Sequence, residues 1–222
     1  MSQPAISHAI FDLDGTLLDT EHLYTEAAIA VCKRYGAQFT HEIKRAVMGG
    51  DTLAGAHYVV KTLALPIEPA RYVAEREVEL HALLSQVVPM PGAIALLELL
   101  RKRGIPIAVA TSGHRAVTLR KLENQPFLQQ LDALVCGDDP RLKHPKPAPD
   151  IYLLAASELG ADPRTCLVVE DSVNGLLAGL AAGMHTIALV DPRWGFDPAL
   201  FAEAAHVVGS LTDLTLEQLG LG

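Results

Sequence analysis

The amino-acid sequence predicts an α/β fold, in which a doubly wound parallel sheet is interrupted by an inserted α-helical domain. Short apolar runs recur along the chain, and each of them ends in polar residues, glycine or proline. Segments with helical periodicity lie between these runs. A regular alternation of strand and helix is typical of a parallel sheet with right-handed crossovers. One long stretch near the N-terminus shows helical patterns alone, and it marks the insertion.

Five apolar runs are predicted to be strands of the parallel sheet. They are short and rich in β-branched residues, which indicates strands that are buried on both faces. The runs are HAIF (8–11), IPIAVA (105–110), ALVC (133–136), CLVVE (166–170) and HTIALV (185–190).

Helical segments are predicted to connect these strands. Three of them are followed by a glycine, which commonly ends a helix: Gly104, Gly160 and Gly183. The tail SLTDLTLEQLGLG (210–222) is expected to form a final short helix. The connecting helices are predicted at 93–103, 115–124, 150–159 and 172–182.

The insertion is predicted to form a helical domain at 20–88, while 1–19 and 89–222 form the α/β core domain. Pro89 and Pro91 stiffen the chain at the end of the insertion. Inserted domains of this kind often act as lids over a site. Within the insertion, helices are predicted at 21–35, 40–47, 52–63 and 70–84.

The composition excludes some classes of partner. The chain has 222 residues, 18 Lys and Arg against 26 Asp and Glu, a net charge of −8, and no basic run. An acidic chain of this kind is not expected to bind nucleic acid or an anionic membrane surface. Aromatic residues make up only 5%, which also disfavours base stacking. A small phosphorylated metabolite remains a suitable partner, because it needs only a local positive group or a metal ion.

The cysteines and the N-terminus predict a cytoplasmic protein. Cys32, Cys136 and Cys166 are widely spaced, and they form neither a C-x-x-C pair nor a disulfide framework. The first ten residues contain no signal-peptide pattern, and no apolar run has the length of a membrane span. A monomer is the default expectation for the oligomeric state.

Chemically active side chains follow the ends of the predicted strands. In an open parallel sheet, ligands bind beyond the carboxyl ends of the strands, so these residues should converge on one place. They are Asp12, Asp14, Thr111, Ser112, Lys146, Glu170 and Asp171.

This set of residues is unbalanced in charge, because it holds up to four carboxylates and one ammonium. Hard divalent cations bind oxygen ligands, and Mg²⁺ typically takes one or two carboxylates together with water and a substrate phosphate. The missing positive charge is therefore most simply Mg²⁺. A phosphate group would complete the site by contacting the metal ion, Lys146 and the Thr111 hydroxyl.

Four motifs resemble, in order, the four signatures of the haloacid dehalogenase superfamily in its phosphatase form. They are DLDGT (12–16), IAVATS (107–112), Lys146 in KPAPDIY (146–152) and VVEDSVNG (168–175). The helical insertion after the first motif is similar to the cap of the subfamily that includes β-phosphoglucomutase. The resemblance covers essentially the whole chain. Within the subfamily, GDDPRLKHPKPAPDIYL and CLVVEDSVNGLLAGLAAGM look most like the phosphatases that include pseudouridine-5′-phosphatase.

The resemblance implies a Rossmann-like core and a role for each core residue. It makes Asp12 the nucleophile that forms an aspartyl-phosphate. It makes Asp14 the general acid and then the base, with its backbone carbonyl near the metal ion. The presence of Asp14 favours phosphoryl transfer over cleavage of a carbon–halogen bond. Phosphate binding falls to Thr111, Ser112 and Lys146, and metal binding to Asp12, Asp14, Glu170 and Asp171.

Several of these residues also have a purely structural interpretation. Thr111 or Ser112 would serve as an N-cap of the following helix. Glu170 and Asp171 would be favourable charges at a helix N-terminus, which is compatible with metal binding.

The cap loop MGGDT (48–52) is the candidate for substrate specificity. Gly49 and Gly50 allow the backbone to approach a ligand, and Asp51 would accept hydrogen bonds from sugar hydroxyls. Phosphoglucomutases of the subfamily carry an arginine in this loop and a histidine on the first cap helix. This chain has Thr52 and Tyr24 at those places, which favours hydrolysis over mutase chemistry.

The sequence thus predicts a Mg²⁺-dependent phosphomonoester hydrolase that acts on a small sugar phosphate or a nucleoside-monophosphate-like metabolite. Two alternatives remain open at this point. One is a phosphosugar mutase of the β-phosphoglucomutase type, and the other is a non-catalytic protein that binds a phosphorylated ligand.

Overall fold

The computed structural model describes residues 5–47 and 52–221 of the chain. The chain divides into two compact units. The first unit comprises the chain up to Asp19 and from Val88 onwards, and the second comprises Thr20–Val87. The loop residues Gly49, Gly50 and Asp51 lie outside the described residues.

The strands and helices follow one another along the chain in a βα alternation that the second unit interrupts. The strands are β1 (His8–Phe11), β2 (Leu18–Asp19), β3 (Val88–Pro89), β4 (Ile107–Thr111), β5 (Ala133–Cys136), β6 (Cys166–Glu170), β7 (His185–Leu189) and β8 (His206–Val208). The α-helices are α1 (Glu21–Arg34), α2 (His41–Val47), α3 (Thr52–Thr62), α4 (Pro69–Leu83), α5 (Ala93–Lys102), α6 (Arg115–Glu123), α7 (Asp150–Glu158) and α8 (Val173–Ala181).

The first unit is built on a six-stranded sheet with the order β5-β4-β1-β6-β7-β8, in which every pairing is parallel. The predicted α/β fold class is therefore confirmed. β1 lies at the centre, and Phe11 pairs with Val109 of β4 and Val169 of β6. Because these neighbours are in register, the residues that follow β1, β4 and β6 leave the sheet at the same edge.

The sheet is buried on both faces, as the apolar runs predict. Ile10, Val168 and Val135 pack with Tyr152 of α7 and Ala178 of α8 in one apolar cluster. Every residue of β4 and β6 is buried, including the polar residues at their carboxyl ends. These polar ends are thus held by a rigid core.

Two elements near the C-terminus differ from the sequence prediction. The predicted C-terminal helix is wrong, because the tail contains only a 3-10 helix at Leu211–Asp213 followed by turns. Ser210 accepts a hydrogen bond from the Thr212 N–H, a local side-chain contact that competes with regular helix. The edge strand β8 was not predicted, since three residues are too few to show an alternating pattern.

Two very short strands, β2 and β3, pair in antiparallel fashion where the chain leaves and re-enters the first unit. Leu18 pairs with Pro89 and Asp19 pairs with Val88. The Met90 N–H also donates to the Leu17 carbonyl at 2.9 Å. The sequence does not indicate this pairing, because strands of two residues carry no periodic signal.

Glycine ends three of the helices as predicted. Gly104, Gly160 and Gly183 adopt positive φ angles of 68°, 65° and 74°, a conformation that other residues rarely adopt. Their positions fix where α5, α7 and α8 stop, and so the lengths of the loops that lead into the next strands.

The described part of the second unit consists of helices joined by short loops, with its own apolar cluster. Cys32 of α1, Ile43 of α2, Val59 of α3 and Tyr72 of α4 all belong to this cluster. The predicted helices of the insertion agree with the observed ones to within a residue or two at each end. Among the described residues, no helix has the length and apolar character needed to cross a membrane.

Candidate active site

A tight loop after β1 carries Asp12 and Asp14. The Asp12 N–H donates to the Val169 carbonyl at 3.0 Å, so the first carboxylate is still anchored to the sheet. Gly15 has a φ of +82°, and a β-carbon at this position would collide with the Asp171 carboxylate. Glycine is therefore required for the loop after β1 to lie against Asp171, which follows β6.

Lys146 is the centre of a buried hydrogen-bonded cluster. Its ammonium nitrogen lies 2.7 Å from Asp12 Oδ1 and 2.5 Å from Glu170 Oε1. It also donates to the Ala110 carbonyl at 3.1 Å and lies 3.2 Å from the Tyr152 hydroxyl. The sequence placed Lys146 only in a loop after the third strand of the core. The structure brings it between the ends of β1, β4 and β6.

Glu170 is 1% exposed and uses both carboxylate oxygens. Oε1 accepts from Lys146 and from the Tyr152 hydroxyl, the latter at 2.9 Å. Oε2 accepts from the N–H and the hydroxyl of Ser172, at 2.9 and 3.0 Å. A β-carbon on Gly175 would collide with this carboxylate, so glycine lets the first turn of α8 approach it.

Asp171 lies against the loop after β1. The Thr16 hydroxyl is 3.5 Å from Asp171 Oδ1, and the Asp171 carboxylate packs on the backbone of Gly15. The structure therefore brings together the two acidic motifs that the sequence separates by more than 150 residues.

Thr111 ends β4 and is buried. Its hydroxyl accepts a hydrogen bond from the Gly113 N–H at 3.0 Å and so shapes the turn after the strand. The N-cap position of α6 is His114, so the N-cap interpretation of Thr111 and Ser112 is wrong. Ser112 is exposed and lines a cavity of about 230 Å³ together with Lys146 and His144.

Two residues of the cluster were missed by sequence reasoning. Tyr152 on α7 joins Lys146 to Glu170, and Lys121 on α6 donates to Asp14 Oδ1 at 2.5 Å. Both side chains are fully buried, as the 1% exposure of Lys121 and 0% of Tyr152 show. A lysine in a helix normally lies in solvent, so nothing in the local pattern marks Lys121 as a partner of Asp14.

The electrostatics of the cluster explain how the carboxylates are tolerated. Burial raises the pKa of Asp12 to about 7, and Glu170 and Asp14 add to the rise while Lys146 opposes it. Burial alone would also raise the pKa of Glu170, but Lys146 and the hydrogen bonds from Ser172 and Tyr152 lower it. Burial alone would lower the pKa of Lys146, yet Asp12 and Glu170 hold it well above its usual value.

The charges of the cluster still do not balance. Asp12, Asp14, Glu170 and Asp171 carry four negative charges when ionised, and Lys121 and Lys146 carry two positive charges, which leaves a deficit of two. A divalent cation would supply this charge, and carboxylate oxygens are suitable ligands for Mg²⁺. The donor chemistry therefore fits such an ion.

The carboxylates do not form a closed metal cage in the described part of the chain, where no three His, Cys, Asp or Glu side chains converge on a metal position. The lysines explain this arrangement, because Lys146 holds Asp12 and Glu170 while Lys121 holds Asp14. An all-protein cage is not needed for Mg²⁺, which usually keeps several waters.

Fold and cluster together define a class of protein: an α/β enzyme with a carboxylate–lysine centre at the carboxyl edge of a parallel sheet.

Comparison with known proteins identifies the family within this class. The family model of the haloacid dehalogenase-like hydrolases matches residues 6–183. A Drosophila melanogaster protein named "Probable pseudouridine-5′-phosphatase" is 37% identical over 220 residues, with 97% of this chain and 94% of the relative covered. The chain belongs to the haloacid dehalogenase-like hydrolase family, and the resemblance predicted from its motifs is confirmed.

Two further comparisons agree with this assignment. The (DL)-glycerol-3-phosphatase 2 of Arabidopsis thaliana is 34% identical over 235 residues, covering 100% of this chain and 97% of the relative. The crystal structure of β-phosphoglucomutase from Clostridium difficile superposes with a TM-score of 0.79 and covers 96% of this chain and 95% of that one. At 21% identity, the latter shows the likeness of fold alone.

Proposed function

We propose that this enzyme is a phosphatase that hydrolyses the phosphomonoester of a small sugar phosphate or a nucleoside-monophosphate-like metabolite with the help of Mg²⁺. The observation that carries the proposal is the buried Lys146, which bridges Asp12 and Glu170 beyond the ends of β1 and β6. The names of the two relatives, a pseudouridine-5′-phosphatase and a glycerol-3-phosphatase, support the substrate class.

Asp12 is the proposed nucleophile. Its carboxylate oxygen attacks the phosphorus atom, the bond from phosphorus to the ester oxygen breaks, and an aspartyl-phosphate forms. Asp14 donates a proton to the departing oxygen, and then accepts a proton from the water that attacks the aspartyl-phosphate. Lys146, Thr111 and Ser112 bind the phosphoryl oxygens, and Lys146 keeps its proton throughout.

The metal ion is proposed to be held by Asp12, Asp171 and the backbone carbonyl of Asp14. When bound, Mg²⁺ would neutralise charge on the phosphoryl oxygens. Glu170 would act through a water molecule, because its two oxygens already accept four hydrogen bonds, which uses their lone pairs.

The helical unit, Thr20–Val87, is proposed to serve as the cap that selects the substrate. The loop with Gly49, Gly50 and Asp51 remains the proposed specificity element. This loop has Thr52 where mutases of the resembling subfamily carry an arginine for a second phosphate, which supports hydrolysis over phosphate transfer.

Metal-dependent release of phosphate tests the proposal. The purified protein is incubated with p-nitrophenyl phosphate and with a panel of sugar phosphates and nucleoside monophosphates, and inorganic phosphate is measured. We expect a chelator to lower turnover by at least ~100-fold and added Mg²⁺ to restore it, because the metal stabilises charge that the two lysines leave uncompensated. Turnover that is indifferent to the chelator would contradict the metal's role. Phosphate moved to another hydroxyl of the substrate would support a mutase instead.

Mg²⁺ binding is expected to weaken as the pH falls below 7. The pKa of Asp12 is raised to about 7 without metal, so below this pH the carboxyl group must lose a proton before it binds a cation. The apparent Kd should then rise by up to about tenfold per pH unit. Calorimetry in two buffers of different ionisation enthalpy should detect roughly one released proton at pH 6 and almost none at pH 8. Equal proton release at both pH values would refute the assignment.

A further inference from the structure

Lys121 is a fully buried lysine whose position the phosphatase motifs do not explain. It lies on α6, its side chain is 0% exposed, and its ammonium group donates to Asp14 Oδ1 at 2.5 Å. A buried ammonium is costly unless it is paired, and the contact with Asp14 supplies a paired carboxylate for this lysine in the core. The Asp14 side chain, in contrast, is 18% exposed and therefore reaches the open side of the cluster.

The two oxygens of the Asp14 carboxylate face different surroundings. Oδ1 is held by Lys121, while Oδ2 lies on the side of Gly113. A β-carbon placed on this glycine would be 3.8 Å from Oδ2. The same point lies 3.3 Å from the Thr111 hydroxyl oxygen. Oδ2 is thus turned toward the loop that carries Thr111, and the ion pair at Oδ1 restricts rotation of the carboxyl group out of this orientation.

We propose that Lys121 is a positioning residue, which holds Oδ1 of the Asp14 carboxyl group so that Oδ2, which carries the proton in the acid form of Asp14, delivers that proton to the departing oxygen of the substrate. This inference rests on the proposed role of Asp14 as the general acid. Lys121 itself touches neither substrate nor metal ion and exchanges no proton. The bond that breaks is the one between phosphorus and the leaving oxygen, and the proton that this oxygen gains comes from Asp14.

A pair of aryl esters separates positioning from a merely structural role. The leaving group of phenyl phosphate is a much stronger base than that of p-nitrophenyl phosphate, so only its departure depends strongly on a well-placed acid. The variants are Lys121→Met, which keeps the stem without the charge, and Lys121→Arg. Arg120→Met is the matched control, because Arg120 is the exposed neighbour on the same helix and its loss removes the same charge.

The expected result is a selective loss in Lys121→Met. Its kcat/KM, which reports the steps up to release of the phenol, should fall at least ~30-fold for phenyl phosphate and no more than ~3-fold for p-nitrophenyl phosphate, since positioned general acids contribute about 10²–10⁴-fold. Lys121→Arg should recover part of the loss, and Arg120→Met should match the wild type. An equal loss on both esters, or no loss beyond that of Arg120→Met, would overturn the positioning role.

Two measurements without substrate distinguish failure of this inference from failure of the proposed function. Asp14→Ala should lower the Tm by roughly 10 °C because it removes the carboxylate that pairs with a buried ammonium, and adding Lys121→Met should recover most of the loss. In crystals of Lys121→Met, the Asp14 carboxylate should rotate away from Gly113. The inference fails, even where the wild type hydrolyses both esters, if the Asp14 carboxylate keeps its orientation in Lys121→Met. It also fails if the losses of Tm from Asp14→Ala and Lys121→Met simply add in the double variant. If the wild type releases phosphate from neither ester and from no member of the metabolite panel, the proposed function fails, while these two measurements still show whether Lys121 holds the Asp14 carboxyl group in place.

Discussion

Replacing Asp12 by asparagine is expected to lower phosphatase turnover by at least ~10³-fold without unfolding the protein. An amide oxygen of the same shape is a very poor nucleophile toward phosphorus, so the covalent intermediate should not form. The fold should be retained, because burial already holds the pKa of Asp12 at about 7 and a neutral side chain suits this position. Rate measurements with p-nitrophenyl phosphate and a thermal melt test both parts of the prediction.

Asp197→Asn is the matched control for this substitution. Asp197 is exposed and accepts a hydrogen bond from the Ala199 N–H at 2.9 Å, which an asparagine oxygen can also accept. The control should keep wild-type turnover and Tm. An Asp12→Asn protein that is as active as this control would contradict the nucleophile assignment.

Replacing Lys146 by methionine is expected to abolish turnover and to destabilise the protein as well. Removing this ammonium leaves the buried Asp12 and Glu170 carboxylates without their shared cation, and breaking a buried pair costs about 3–5 kcal/mol. For a chain of this size, the Tm should fall by roughly 10 °C. The deficit should shrink at lower pH, since protonation removes the uncompensated charge.

Lys143→Met is the control for the Lys146 variant, because Lys143 is an exposed lysine three residues earlier in the same loop. Lys143→Met should have the same Tm as the wild type. Added Mg²⁺ should restore part of the Tm of Lys146→Met, since a divalent cation would replace some of the lost charge. Equal melting temperatures for the two variants would show that Lys146 is not the centre of the cluster.

The sequence predicts those parts of the fold that a local hydrophobic pattern determines. The runs around Ile10, Val109 and Val168 are apolar throughout because these strands are covered on both faces, and such runs are readable without a structure. The edge strand His206–Val208 is different, because it is short, partly exposed and defined only by its partner β7. Its existence depends on pairing, which a single sequence does not display.

The candidate site shows the same division between local and long-range information. The carboxyl ends of the strands place Asp12, Asp14, Glu170 and Asp171 at one edge once the sheet is known to be parallel. The partner of Asp14 is not foreseeable, because Lys121 is 107 positions away and sits in an ordinary helical pattern. The sequence pattern indicates Lys146 as the single positive charge of the site, and it therefore overstates the site's excess of negative charge. The structure reduces the deficit to two charges, the charge of one divalent ion.

The most direct measurement is a search for phosphate bound covalently to Asp12 during turnover. The protein is mixed with ³²P-labelled substrate and Mg²⁺, quenched in acid within milliseconds, reduced with borohydride and digested for mass spectrometry. Reduction converts an aspartyl-phosphate to homoserine, so we expect homoserine at position 12 in the wild type and none in Asp12→Asn. Steady release of phosphate with no protein-bound label, or homoserine at another aspartate, would show that Asp12 is not the nucleophile.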